Sequence, residues 1–304
     1  MRRIVGGRWL RRGIWTEKRN GDDNMKTVLV TGGPDGIGKG MVLSYLKKGY
    51  HVFAVGTSEE KGKALINEAK TYNNGKVTFI KANLSLVEEN LRVAKEMADQ
   101  VESLDVLVLC AASLKAQPSY IETKEGIEFT FALYYLSRYV LCYQLKELLE
   151  KSDAPIIVNV AAPGMKGPVY WDDLQMKNKY DGQKAQFHGS RLNDLLGVWF
   201  CETDHVGKIK YILFNPMAAR TSGAKKMAGE SGMMKIMMNL YYKFMGKDVS
   251  EIVGIIEKDI EATAQAGLAA YKLGDRVDLS MGTFEKDNAE KLDWYTKKLV
   301  EKYM

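Results

Sequence analysis

The stretch Thr27-Val-Leu-Val-Thr31-Gly-Gly-Pro-Asp-Gly-Ile-Gly38 decides the fold. A short apolar, β-branched run is followed at once by a turn with glycines at 32, 33, 36 and 38. Beyond the turn, Ile37, Met41, Val42, Tyr45 and Leu46 recur at the spacing of one helix face, and Gly49 ends the helix. Strand, glycine turn and helix in that order let backbone N–H groups approach a pyrophosphate, and the helix N-terminus adds favourable partial charge. The turn is therefore expected to hold a dinucleotide through Thr31, Gly32, Gly36, Ile37 and Gly38. The competing expectation is a tight turn that has kept its glycines without a ligand.

Outward from this turn the chain alternates strand and helix. His51–Val55 reads as a strand, Glu59–Thr71 as a helix, Val77–Ile80 as a strand and Ser85–Val101 as a helix. Leu104–Cys110 is a strand with almost no polar relief, as expected when both faces are covered. A long helix over about 126–150, the strand Pro155–Val160, a helix over about 182–203 and the strand Ile209–Phe214 follow. Such alternation implies βαβ units with right-handed crossovers. The predicted fold class is α/β, a parallel sheet in a single domain.

Of the 304 residues 46% are hydrophobic and 27% charged, which excludes disorder and fibrous classes. The net charge is +6, but residues 1–24 hold seven basic and three acidic side chains, so +4 of it belongs to that segment. The remaining chain is only about +2, and nucleic acid is not expected as a partner. The basic N-terminal extension 1–24 fits translation upstream of a natural start at Met25, a solvated tail, or a targeting peptide. Cys110, Cys142 and Cys201 form neither a zinc spacing nor a disulfide framework, which fits a reducing, cytoplasmic setting. The three histidines are scattered, so no metal site is expected.

The Thr-Gly-x-x-x-Gly-Ile-Gly turn resembles the cofactor signature of the short-chain dehydrogenase/reductase family. Thr123–Phe131, Trp171–Gln175, Lys179–Gly182 and Asn288–Leu292 are similar to segments of its retinol-dehydrogenase-like branch. The resemblance runs from about Met25 to Met304. It implies a Rossmann-like, doubly wound parallel sheet, NAD or NADP as cofactor, with the preference open, hydride transfer between a carbonyl and an alcohol, and a homo-oligomer.

The same resemblance implies four catalytic positions, and all four differ here. The family's Ser falls on Ala162, at the end of Val158-Asn-Val-Ala-Ala162. Its Tyr, about 25 residues later in that branch, falls on Phe187, and its Lys on Arg191. Its Asn falls on Tyr134, in the helix Phe131–Arg138. Phe187 has no exchangeable proton and Ala162 no hydroxyl. General acid–base catalysis is typically worth ~10²–10⁴-fold and an oxyanion-type donor a similar factor, so carbonyl reduction here is expected to be very slow or absent. Arg191 stays charged and forks differently from Lys. Tyr180 and Lys184 match Tyr-x-x-x-Lys literally and would make a displaced acid/base pair in a working oxidoreductase for a lipophilic carbonyl or alcohol. Tyr134 and His188 are further candidate proton donors.

For the cofactor, Thr57 and Ser58 follow the second strand, where an acidic residue would favour NAD. Asn83 stands where an Asp usually meets adenine, and Cys110-Ala-Ala-Ser113 replaces an Asn-Asn-Ala-Gly-like turn. Thr221, after Pro216-Met217, is expected near the cofactor amide. The segment about 221–247 is the expected lid. Its methionines at 227, 233, 234, 237, 238 and 245 suit a lipophilic small molecule, and its flanking lysines suit a weaker membrane contact.

Overall fold

The computed structural model describes residues 25–72, 74–113, 115–221 and 246–303. The extension 1–24 and most of the expected lid lie outside the described residues. One sheet runs through the molecule in the order β3-β2-β1-β4-β5-β6-β7-β8. Its strands are β1 Thr27–Thr31, β2 His51–Gly56, β3 Lys76–Lys81, β4 Val106–Leu109, β5 Ile156–Val160, β6 Lys210–Asn215, β7 Gly267–Lys272 and β8 Asp275–Arg276. β1 to β7 pair in parallel and β8 returns antiparallel to β7. Strand order reverses at β1, which lies between β2 and β4 in register with both: Val28 faces Val52 on one side and Val106 on the other. Such a reversal opens a crevice at the carboxyl ends of the strands.

The alternation of each strand builds two cores. Leu29, Phe53, Leu107, Ile157 and Tyr211 face α3 (Val87–Gln100), the segment 129–150, α7 (Gly182–Glu202) and α9 (Lys286–Val300). Val28, Val30, Val52, Ala54, Val108 and Ile212 face α1 (Gly36–Lys47), α2 (Glu59–Ala69) and α8 (Val249–Ala262). Caps set the helix starts. Ser58 caps α2 through Lys61 N at 3.3 Å, and Asp181 caps α7 through Gln183 N and Lys184 N at 3.0 and 3.1 Å. Helix α3 has no local side-chain cap. The remote carboxylate of Glu125 accepts from Val87 N at 2.7 Å and Glu88 N at 3.1 Å instead.

Two sequence expectations need correcting. The helix expected over about 126–150 is segmented into α4 (Phe129–Phe131), a π turn (Ala132–Leu136), α5 (Ser137–Gln144) and α6 (Lys146–Glu150). In the π turn Ser137 N reaches back to Ala132 O, so one extra residue is accommodated around Tyr134. Strand β4 is shorter than Leu104–Cys110: Leu104 N donates to Leu148 O, and the Asp105 carboxylate is used by Thr27 N and Ser152 Oγ, at 2.7 Å each. Helix α8 and strands β7 and β8 were not anticipated from the sequence.

Candidate functional site

Thr31 ends β1 and ties the glycine turn to the neighbouring strand. Its Oγ1 accepts from the N–H groups of Cys110 at 3.0 Å and Ala111 at 3.1 Å, just past β4. The turn then needs glycine for two reasons. Gly32 and Gly36 take φ of +68° and +53°, and a Cβ on Gly38 would stand 2.4 Å from the carbonyl oxygen of Gly32. The backbone of α1 therefore opens, bare of side chains, at the carboxyl ends of β1 and β4. Its first-turn N–H groups have no acceptor within the helix. Asp35 uses one of them, accepting from Gly36 N at 2.7 Å, and pairs with Lys61 of α2. Thr221 is buried and lays its Cγ2 3.3 Å from where a Gly36 Cβ would be, which sets it against the glycine turn. The strand-like pairing of Ala219 with Lys247 holds the two ends of the lid segment side by side.

These residues fit a dinucleotide pyrophosphate: a Cβ-free approach, a helix N-terminus and the strand-order reversal coincide. The other expected contacts are looser. Thr57 is exposed beyond β2, and Ser58 is spent on the α2 cap. Asn83 Oδ1 accepts from Ser85 N at 3.2 Å and Ser85 Oγ at 2.8 Å, which leaves its amide nitrogen as the group able to meet a base.

At the other half of the crevice the four family positions lie apart in their interactions. Ala162 offers no hydrogen-bonding side chain. Phe187 is 54% exposed on α7. Arg191 turns away to the loop and the C-terminal segment: Nε donates to Gly167 O at 3.1 Å, and Nη1 donates to Thr283 O at 2.8 Å and Asp194 Oδ2 at 3.3 Å. Asp194 also receives Gly164 N at 3.1 Å, and burial pushes its carboxyl up to about 8. Tyr134 packs flat on α7, where a Cβ on Gly189 would meet its Cδ1 at 2.6 Å, and its hydroxyl lies 3.2 Å from Ser190 Oγ.

The alternative proton donors are engaged as well. Tyr180 Oη donates to Glu128 Oε1 at 3.0 Å and lies 3.3 Å from Thr130 Oγ1; burial first, then the Glu128 carboxylate, push its hydroxyl up to about 12. Glu128 is itself buried and caps Phe131 N at 2.6 Å. Lys184 is exposed and 3.8 Å from Asp181, not from Tyr180. His188 is buried with Nε2 accepting from Tyr170 N at 3.3 Å, and burial together with Arg191 pulls it down to about 4. A neutral His188 holding its acceptor nitrogen on a backbone N–H has no proton to give on that side.

A buried polar network that no local sequence pattern announces lies beneath this half. Arg138 donates to Asn159 Oδ1; Asn159 Nδ2 donates to Asn193 Oδ1 at 3.0 Å and Tyr211 Oη at 2.9 Å; Asn193 Nδ2 donates to Tyr134 O and Gly189 O, at 2.8 Å each. The available signal was Asn159 alone, a polar residue inside an otherwise apolar strand. Among the described residues no group of His, Cys, Asp and Glu is arranged to hold a metal, and no helix is long and apolar enough to cross a membrane.

Comparison with known proteins agrees with this geometry. The family model for short chain dehydrogenase matches residues 26–171. The oxidoreductase AN1596 of Emericella nidulans is 27% identical over 56% of this chain and 51% of its own. Human retinol dehydrogenase 11 is 28% identical over 56% of this chain and 54% of its own. The chain spans about half the length of these curated relatives. An alcohol dehydrogenase from Thermococcus sibiricus, solved with 5-hydroxy-NADP, superposes with a TM-score of 0.61 at 13% identity, over 84% of this chain and 100% of that one. That likeness concerns the fold. The glycine turn, the strand order and the matched sequence together make this chain similar to the short-chain dehydrogenase/reductase family, with retinol dehydrogenases among its relatives.

Proposed function

We propose that this chain binds NAD or NADP at the glycine turn while its hydride-transfer site is degenerate, so that it acts through binding or in a regulatory assembly. The observation that carries the proposal is the state of the position expected for the acid/base. Phe187 is half-exposed with no proton to exchange, and Ala162 beyond β5 has no hydroxyl for a substrate oxygen. Arg191, at the position of the family's Lys, is committed to Gly167, Thr283 and Asp194. A bound nicotinamide would supply the hydride. Thr31, Gly32, Gly36, Ile37 and Gly38 would hold the pyrophosphate, Asn83 would meet the adenine, and Thr221 would meet the carboxamide end. What the protein would lack is a group to deliver the accompanying proton. Tyr180 is the displaced acid that a working enzyme would need, and its bond to the buried Glu128 argues against that role.

The proposal includes a homo-oligomer, carried by the family resemblance, and a reducing setting, which its unpaired Cys110, Cys142 and Cys201 suit. The test is to measure nucleotide binding and carbonyl turnover on the same preparation. Binding without turnover supports the proposal. Turnover abolished by Tyr180→Phe would replace it with the displaced-acid enzyme.

A further inference from the structure

Arg138 heads the fully buried side chains by size, with 1% of its surface exposed. Every group it meets is neutral. Nη1 donates to Asn159 Oδ1 and, at 2.9 Å, to Val160 O; Nη2 donates to Ala111 O at 3.3 Å. The guanidinium lies over the Tyr134 ring, 4.5 Å from its centroid. Among the described residues, Nε is buried with no hydrogen-bond partner. No carboxylate pairs with it among the described residues. The thiol beside it, Cys110, is kept neutral because burial pushes it up to about 12. Arginine keeps its proton in such surroundings, so the charge is real and uncompensated. Burying an unpaired charge is costly, and neutral carbonyls offset only part of that cost.

Its place gives the charge a consequence. Val160 is the last residue of β5, and Ala111 lies just past β4, so the guanidinium sits at the carboxyl edge of two adjacent strands. In a doubly wound sheet the half that carries the glycine turn takes the adenosine end, and the half from β4 to β6 takes the second nucleotide. Arg138 therefore underlies the nicotinamide half. Arg191, also buried in this half, is turned away onto Gly167 O, Thr283 O and Asp194, whereas Arg138 sits against the carboxyl ends of β4 and β5. The oxidised nicotinamide ring is a cation and the reduced ring is neutral. All other charges of the dinucleotide are common to both forms.

We propose that Arg138 makes this site select the reduced dinucleotide over the oxidised one. The inference rests on the cofactor-binding reading above and adds a direction to it. The selectivity needs no catalysis. It follows from a fixed positive charge in a low-dielectric floor, and it lets a protein without turnover respond to the redox state of the nucleotide pool.

The experiment is equilibrium titration of the full chain with NADH, NAD+, NADPH and NADP+, followed by protein fluorescence and calorimetry. For whichever pair binds, the reduced form is expected to bind roughly tenfold tighter, the scale of two like unit charges about 12 Å apart in an effective dielectric near 20. Arg138→Lys keeps the charge and should keep most of that ratio. Arg138→Met should bring it to about twofold or less. Asn159→Asp provides a second route should the methionine variant not fold, because it sets a carboxylate on the intact guanidinium and should lower the ratio in the same way. A wild-type ratio near one overturns the proposal, as does a folded Arg138→Met or Asn159→Asp protein that keeps the tenfold preference. Binding of neither form at millimolar levels overturns the cofactor reading itself, and this inference with it.

Discussion

Arg191 donates from Nη1 to the carbonyl oxygen of Thr283 at 2.8 Å, joining α7 to the turn that leads into α9. The same side chain holds Gly167 O and Asp194, so it acts as a clamp on backbone at the place where the family resemblance expects a lysine. A single ammonium cannot reproduce a fork that serves three acceptors. Arg191→Lys should therefore lower unfolding stability by about 1–3 kcal/mol in denaturant titration and create no carbonyl turnover by itself. A variant as stable as wild type would show that the clamp contributes little.

Stability should fall as pH rises through neutrality. Burial raises Asp194 from the usual carboxylate range to about 8, so the folded state holds a proton that the unfolded state has released. Its contribution is full below the unfolded value near 4 and is lost as pH climbs through 8. His188 has the opposite sign. Its folded value of about 4 lies below its usual 6.5, so its contribution is lost as pH falls below 6.5. Between about 6.5 and 8 only the Asp194 effect acts, with a slope of at most about 1.4 kcal/mol per pH unit. Chemical denaturation across that window should show the decline, and Asp194→Asn should flatten it. An unchanged slope in the variant would assign the decline elsewhere.

Tyr180→Phe removes the hydroxyl that satisfies Glu128. The expected result is a loss of about 1–3 kcal/mol in stability, with dinucleotide affinity unchanged within about twofold. Were Tyr180 the acid of a working enzyme, turnover would drop by ~10²–10⁴-fold instead. Steady-state rates and melting curves on one preparation separate these outcomes.

Gly38→Ala places a methyl group 2.4 Å from the Gly32 carbonyl oxygen, a backbone atom that cannot rotate aside. The turn must open, at about 1–3 kcal/mol. The nucleotide-induced rise in melting temperature should disappear in this variant. A folded Gly38→Ala protein that still responds to nucleotide would mean that the ligand sits elsewhere.

The first half of the fold was legible because β1, the glycine turn and α1 each carry a separate local signal. The apolar run of Thr27–Thr31, the glycines and the spacing of Met41, Val42, Tyr45 and Leu46 agree with one another. The segmentation of the helix after Phe129 was not legible. A π turn adds one residue without disturbing which side chains are apolar, so periodicity reads straight through it. The hidden cap of α3 by Glu125 lies 38 residues away in sequence, beyond any local pattern. Helix α8 buries Ile252, Val253 and Ile256, a short stripe that follows a methionine-rich stretch and is easily absorbed into it.

At the site, the glycine turn was legible for the same reason as β1. Thr221 lies against the turn at Gly36, a contact that the expectation of a place near the cofactor amide did not include. Arg138 was not legible. In sequence it is one charge on a helix, which is ordinarily solvated. Only the convergence of Ala111, Asn159 and Val160 from two strands buries it.

The most direct test of the whole proposal combines binding and chemistry in one sample. The full chain is titrated with NADH and NADPH by thermal shift, then offered lipophilic aldehydes and ketones at saturating nucleotide while nicotinamide absorbance is followed. Saturable stabilisation, about 2.7 kcal/mol at one hundred times the dissociation constant, with no protein-dependent consumption of reduced nucleotide, is the expected result. Protein-dependent consumption would contradict the degenerate site, and absence of any shift at millimolar nucleotide would contradict the cradle.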